Sequence, residues 1–228
     1  MAIQKLQVKQ TLLDGVQYGI KNVASLILMV VLYLVTIWIP YLNVGTTIGM
    51  YKAIIKIGKG EIINPTAIFD KNNFKTNLGE FFLLMGFMSM GIAAASMFVF
   101  IPGIVLGIAW GFAMFFFLDK GLAPHKALKV SYKVTDGEKW TIFWTIVLVA
   151  LCGSILGAIF MLIPKVGWIF NVLVIIVEVA VLVAVEGVMY KHFSAKADEM
   201  FADKICGCKA PEAPAAPEAP AAPEAPAE

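Results

Sequence analysis

The run from Phe81 to Leu118, 38 residues without one charged side chain, limits the fold of this chain more than any other feature. A single helix of that length would measure about 57 Å at about 1.5 Å per residue, whereas bilayer hydrocarbon is about 30 Å thick. Tilt does not absorb such a difference, so the run has to fold back on itself. Near its middle stands Phe100-Ile101-Pro102-Gly103. Proline lacks a backbone N–H and pushes its predecessor away from helical geometry, and glycine accepts turn conformations. The spacing predicts two antiparallel helices joined by a tight turn at Pro102 and Gly103.

Two more uncharged runs, Asn22–Tyr51 and Thr141–Pro164, exceed the roughly 18 residues that mark a candidate span. Sixty per cent of the chain is apolar and only 15% charged, against about a quarter charged in soluble domains. These features read as a polytopic, all-α integral membrane protein. The first apolar run is long and lacks an Ala-x-Ala-like cleavage site, so it reads as a retained anchor and not as a removed signal.

The proline device recurs. Pro40, Pro102 and Pro164 each follow an isoleucine, at intervals of 62 residues (102 − 40 and 164 − 102). Gly45 and Gly49 become Gly107 and Gly111 in the same register, whereas the third unit has Ile169 and Leu173 there. A fixed period of this kind signals an internal repeat. It predicts six membrane helices as three tandem helical hairpins: 1–62 with an N-terminal amphipathic helix, 63–124 and 125–192. A juxtamembrane segment, 193–209, and a disordered Pro/Glu/Ala tail, 210–228, follow.

Lysine placement orients the hairpins. All 18 basic residues are lysines, and in this layout every one but Lys165 falls on the face that carries both termini and both long connections, 58–80 and 119–140. The positive-inside rule then places both termini in the cytoplasm, and the protein in a prokaryotic cytoplasmic membrane. The absence of arginine argues against planar recognition of nucleic acid.

Two stretches look amphipathic and are expected to lie at the membrane surface. In residues 5–20, Leu6, Leu12, Leu13, Val16 and Ile20 oppose Lys5, Lys9, Asp14 and Gln17. In 123–137, Lys126, Lys129 and Lys133 share one side and would face lipid headgroups. The second helix of the first hairpin is short before Lys52 and Lys56, which suits local bilayer thinning or snorkelling.

Glu178 stands fourteen residues past Pro164, about 21 Å along a helix and still within hydrocarbon. An acid at that depth is costly and often marks an ion or proton path. Lys52, twelve residues past Pro40, occupies a similar level, so a structural pair between Glu178 and Lys52 or Lys56 is the competing reading, and a lipid-facing position a third. Glu186 lies nearer the interface and is expected to snorkel. Gly45 with Gly49, Gly103 with Gly107 and Gly111, and Gly153 with Gly157 read as helix-packing stripes, with homo-oligomer contact as the alternative.

No catalytic constellation emerges, and no cofactor or metal site. His125 and His192 have no ligand spacing, and Cys206 with Cys208 offers only two of the four ligands that zinc requires. Cys152 reads as packing within a membrane helix. The Pro-Glu-Ala-Pro-Ala-Ala tail has nothing large and apolar to bury, and is expected to be an extended spacer or a docking strand for a cytoplasmic protein.

Ile101-Pro102-Gly103-Ile104, followed by Ala127-Leu128-x-x-Ser131-x-x-x-Thr135-x-Gly137-x-x-Trp140, resembles the YciC-like bacterial membrane proteins and the membrane domain attached to some glycerophosphodiester phosphodiesterases. The resemblance covers roughly residues 80–165. It implies a multi-pass membrane fold and carries over no catalytic residues. The residues themselves leave two functions open: a non-enzymatic membrane organiser or scaffold that recruits a partner, and a small transporter or channel subunit using Glu178 with Lys52.

Overall fold

The computed structural model describes residues 5–74, 78–98, 100–163 and 167–205. Among these, every regular element is helical: α1 (Val8–Thr36), α2 (Pro40–Gly58), a 3-10 turn (Pro65–Phe69), α3 (Lys71–Phe74), α4 (Leu78–Phe98), α5 (Phe100–Trp110), α6 (Ala113–Lys120), α7 (Pro124–Val134), α8 (Lys139–Met161) and α9 (Gly167–Ile205). Five stretches are long and apolar enough to cross a membrane: Val8–Thr36, Leu78–Met97, Ile101–Lys120, Lys139–Met161 and Gly167–Met200. The chain is therefore all-α, with several membrane-span helices. Pro164, Cys206, Cys208 and the tail lie outside the described residues.

Consecutive helices pack on each other, α1 on α2, α4 on α5 and α8 on α9, while α9 also lies along α1 and α2. Small residues set the closest approaches. A Cβ at Gly19 would sit 3.1 Å from the Val181 Cα, and one at Gly187 would sit 2.9 Å from the Gly58 nitrogen. The α2–α9 crossing is thus backbone against backbone, which only glycine permits on both sides.

The turn chemistry differs between the first two prolines. Pro40 is the first helical residue of α2, where its missing N–H costs nothing, after a turn at Ile37–Ile39. Pro102 lies inside the first turn of α5, and not in a tight turn with Gly103 as the sequence predicts. Gly103 instead faces α4, where a Cβ would collide with Ser96.

Of the two amphipathic stretches, the first folds differently from expectation and the second forms a separate amphipathic helix, α7. Residues 8–20 continue without a break into the apolar part of α1 and do not form a separate surface helix. Gly15 and Gly19 on that stretch meet α9, which packing, not propensity, dictates. Helix α7 buries Ala127, Val130, Ser131 and Val134 and leaves Lys129 exposed. Its Ser131 hydroxyl donates to the Ala109 carbonyl at 2.7 Å. That carbonyl lies beside the break between α5 and α6 at Gly111-Phe112, where backbone acceptors lose their intrahelical donors. The side chains of Lys126 and Lys133 are exposed on the same helix.

A third difference concerns the connection after α2. It doubles back along α2, and Phe74 stacks on Tyr41 with ring centroids 5.7 Å apart. Gly49 is glycine because Ile68 and Asn73 of this returning segment lie against it, and Gly45 because Phe74 does. Asn22 of α1 secures the segment, donating to the Glu61 carbonyl at 3.3 Å and accepting from the Ile63 N–H at 3.0 Å. The Gly45 and Gly49 pair therefore receives its own connection and not another membrane helix.

The interior is densest where α2, α6 and α9 meet. Phe115 stacks on Tyr190 at 5.1 Å, Tyr51 meets Phe115 edge-on at 5.1 Å, and Phe112 lies 5.0 Å from Phe193. Phe115, Phe116 and Phe193 are fully buried. Rings of this size bury large areas and fill the centre of the bundle at this end.

Candidate functional site

Most of the polar chemistry of the described residues lies in one layer, where α2, α6 and α9 end and α1 and α8 begin. Glu138 precedes α8, after a turn that Gly137 enables with φ +79°. Its side chain is only 7% exposed. One carboxylate oxygen pairs with Lys196; the other lies 3.2 Å from His192 Nε2 and accepts the Leu6 N–H at 3.1 Å. His192 and Lys196 are four apart, so α9 presents both on one side. One buried acid thus ties the start of the chain, the start of α8 and the end of α9.

Two further contacts extend the layer. Asp119 accepts from the Tyr190 hydroxyl at 2.7 Å and lies 3.6 Å from Lys59 Nζ. Lys120 donates to both oxygens of Asp198 at 2.7 Å. At the entrance to α8, Lys139 donates to Asp136 at 2.9 Å, which holds that exposed carboxyl below the usual aspartate range. The same ammonium lies 4.5 Å from the Tyr132 ring centroid. Beside Glu138 a polar cleft of about 320 Å³ is lined by Lys5, Asp14, Tyr18, Lys191 and His192, among others.

Sequence reasoning did not single out Glu138, Asp119 or Asp198. A usable signal existed: His192 and Lys196 at helical spacing, at the level where a hairpin from residue 139 onward would begin and end. No glycine-rich loop or cysteine pair drew attention to it, because its parts come from five distant places in the chain, at Leu6, Lys59, Asp119–Lys120, Asp136–Lys139 and Tyr190–Asp198.

The charges that the sequence places at membrane depth are kept apart. Lys52 Nζ donates to Asn73 Oδ1 at 3.0 Å, in a pocket formed with Lys56, Glu61 and Asp70. Asn73 is buried and donates to the Ala67 and Ile68 carbonyls. Glu178 lies on the other side of α9, against Gly153, facing an otherwise apolar cavity of about 420 Å³. The Glu178–Lys52 pair envisaged from sequence is not formed. Gly157 similarly makes room for Asn171. Glu186 faces a third cavity, of about 450 Å³, lined by Gly107 and Gly111. A Cβ at Gly107 would meet nothing within 4 Å, so this glycine leaves a hole and does not bring two helices together. Cys152 is exposed on α8 and not packed.

Among the described residues no group of three His, Cys, Asp or Glu side chains is placed to hold a metal ion. No family model matches the chain, and neither a curated protein nor a solved structure is significantly similar to it.

Proposed function

We propose that this is a non-enzymatic membrane scaffold of six membrane helices in three tandem hairpins, with both termini on the cytoplasmic side of a prokaryotic membrane. The observation that carries the reading is the polar layer built on Glu138, Asp119 and Asp198 above the Phe115, Phe116, Phe193 and Tyr190 rings. Alternating access requires an end that opens and closes. Here four ion pairs and a filled aromatic interior hold that end shut, which suits a platform better than a gate. The separation of Lys52 from Glu178 removes the charge pair on which a transport cycle would have turned. Helix α9 continues past this layer to Ile205, so its described end lies on the platform side. The partner is then a cytoplasmic protein reached by the Pro-Glu-Ala repeat, and the resemblance to YciC-like proteins would add a fold and a membrane location but no catalytic residues.

The test is affinity purification in mild detergent of the full chain and of residues 1–205, with co-purified proteins counted by mass spectrometry. A stoichiometric partner retained by the full chain and lost from the shorter one is the expected result. Identical partner sets from both chains would sink the tail-recruitment reading. Solute flux in proteoliposomes that Glu178→Gln abolishes would replace the scaffold with a transporter.

A further inference from the structure

We propose that the cavity between α5, α8 and α9 binds one zwitterionic membrane phospholipid, with its ammonium group against Glu186. Beyond Gly107 and Gly111 the walls are apolar, among them Ile108, Ile142, Leu182 and Met189. Within this lining the Glu186 carboxylate makes no hydrogen bond or ion pair with any described residue; Tyr51 is the titratable group close enough to feel its charge. A partly buried acid in apolar surroundings takes up a proton or a cation. Bare hard cations demand about six or more oxygen ligands, which one carboxylate among isoleucines does not supply. An ammonium attached to apolar matter needs only one counter-charge and a greasy wall. That is what this cavity offers.

The occupant comes from the bilayer because of where the cavity opens. Ile104 and Ile146 line it and are 37% and 41% exposed, on flanks of helices that are membrane-span candidates. Along α9, Glu186 stands five residues before Lys191, about 7.5 Å, so the carboxylate lies within headgroup reach of the lysine-rich layer. A second groove, of about 430 Å³, shares Ile104 and Ile108 and runs along α5 and α8 from Lys139 and Trp140 to Ile101. Its polar end carries an interfacial tryptophan and Lys139, whose ammonium holds Asp136 with one of its three donors, and its remainder takes an acyl chain. Carboxylate and ammonium side chains bordering adjoining grooves match the ammonium and phosphate of one headgroup. This site does not depend on the scaffold reading.

The full chain, extracted from vesicles of equimolar phosphatidylethanolamine and phosphatidylglycerol, is analysed by native mass spectrometry. One phosphatidylethanolamine per chain is expected in preference to phosphatidylglycerol, and Glu186→Gln reduces that preference at least about tenfold. Gly107→Leu fills the cavity and expels the lipid, whereas Glu178→Gln keeps it. Should Gly107→Leu fail to fold, the two glutamate variants decide. Equal retention of the two lipids, or an unchanged preference in Glu186→Gln, overturns the proposal. In a second arm dodecylammonium is added at the concentration of the lipid; full displacement would assign the cavity to amines at large and overturn a phospholipid occupant.

Discussion

Glu138 is a charge whose worth comes entirely from its partners. Lys196, His192 and the Leu6 N–H converge on one carboxylate that is almost out of water. Removing one member of such a set leaves the others desolvated and uncompensated, a loss of about 3–5 kcal/mol. Glu138→Ala is therefore expected to lower the thermal unfolding midpoint in detergent by several degrees, and Glu138→Gln by less, because its carbonyl still accepts from Leu6. Replacing Glu138 by Leu and Lys196 by Met together recovers only part of the loss: the apolar pair carries no charge desolvation cost, but the buried Leu6 N–H still loses its acceptor. Equal midpoints for Glu138→Ala and the parent would show that the network holds nothing together. The sequence flagged Glu178 and missed Glu138 for a physical reason. An acid within an apolar run is conspicuous, whereas an acid after Asp136-Gly137 resembles an ordinary turn residue until α9 is folded over it.

At the level of elements, the apolar runs and the first proline turn were legible, because length against bilayer thickness and the N–H that proline lacks are local properties. Glycine meaning was not. Gly-x-x-x-Gly is the same pattern whether it receives a helix, as Gly153 receives Glu178 on α9, or its own connection, as Gly45 receives Phe74. It is the same again where it receives nothing, as at Gly107. The closest approach to backbone, Gly58 on Gly187, belongs to no such stripe. Substitution sorts these cases. Gly187→Val forces α2 from α9 and is expected to destabilise by about 1–3 kcal/mol or more. Gly107→Ala meets no neighbour and gains about 0.5–1 kcal/mol from helix propensity. Chemical unfolding of the two variants in mixed micelles measures both, and a Gly187→Val protein as stable as its parent would mean that the α2–α9 contact is not close.

For the whole molecule, parity constrains the number of crossings. Five helices are long and apolar enough to span. Yet Glu138 holds Leu6, just before α1, together with His192 and Lys196 of α9, so Leu6 and the His192–Lys196 turn lie at the same end of the bundle. A segment whose two ends lie on one side of a membrane crosses it an even number of times between them. With five candidates, an even count needs either α2 as a further crossing or one of the five not crossing. Helix α2 is the ambiguous element: Lys52 and Lys56 reduce its apolar character, and the exposed Asn64, Asp70 and Lys71 run beside it. Trp38, 88% exposed in the turn between α1 and α2, reports on the answer. In a background with Cys152, Cys206 and Cys208 replaced by serine, Trp38→Cys is expected to react with a membrane-impermeant maleimide on intact cells. Lys129→Cys, on the exposed side of α7, should react only after permeabilisation. Reaction of Lys129→Cys on intact cells would invert the orientation drawn from the lysines. If Trp38→Cys stays unlabelled in both conditions, the α1–α2 turn ends inside the hydrocarbon, and the first hairpin is a wedge in one leaflet and not a pair of crossings.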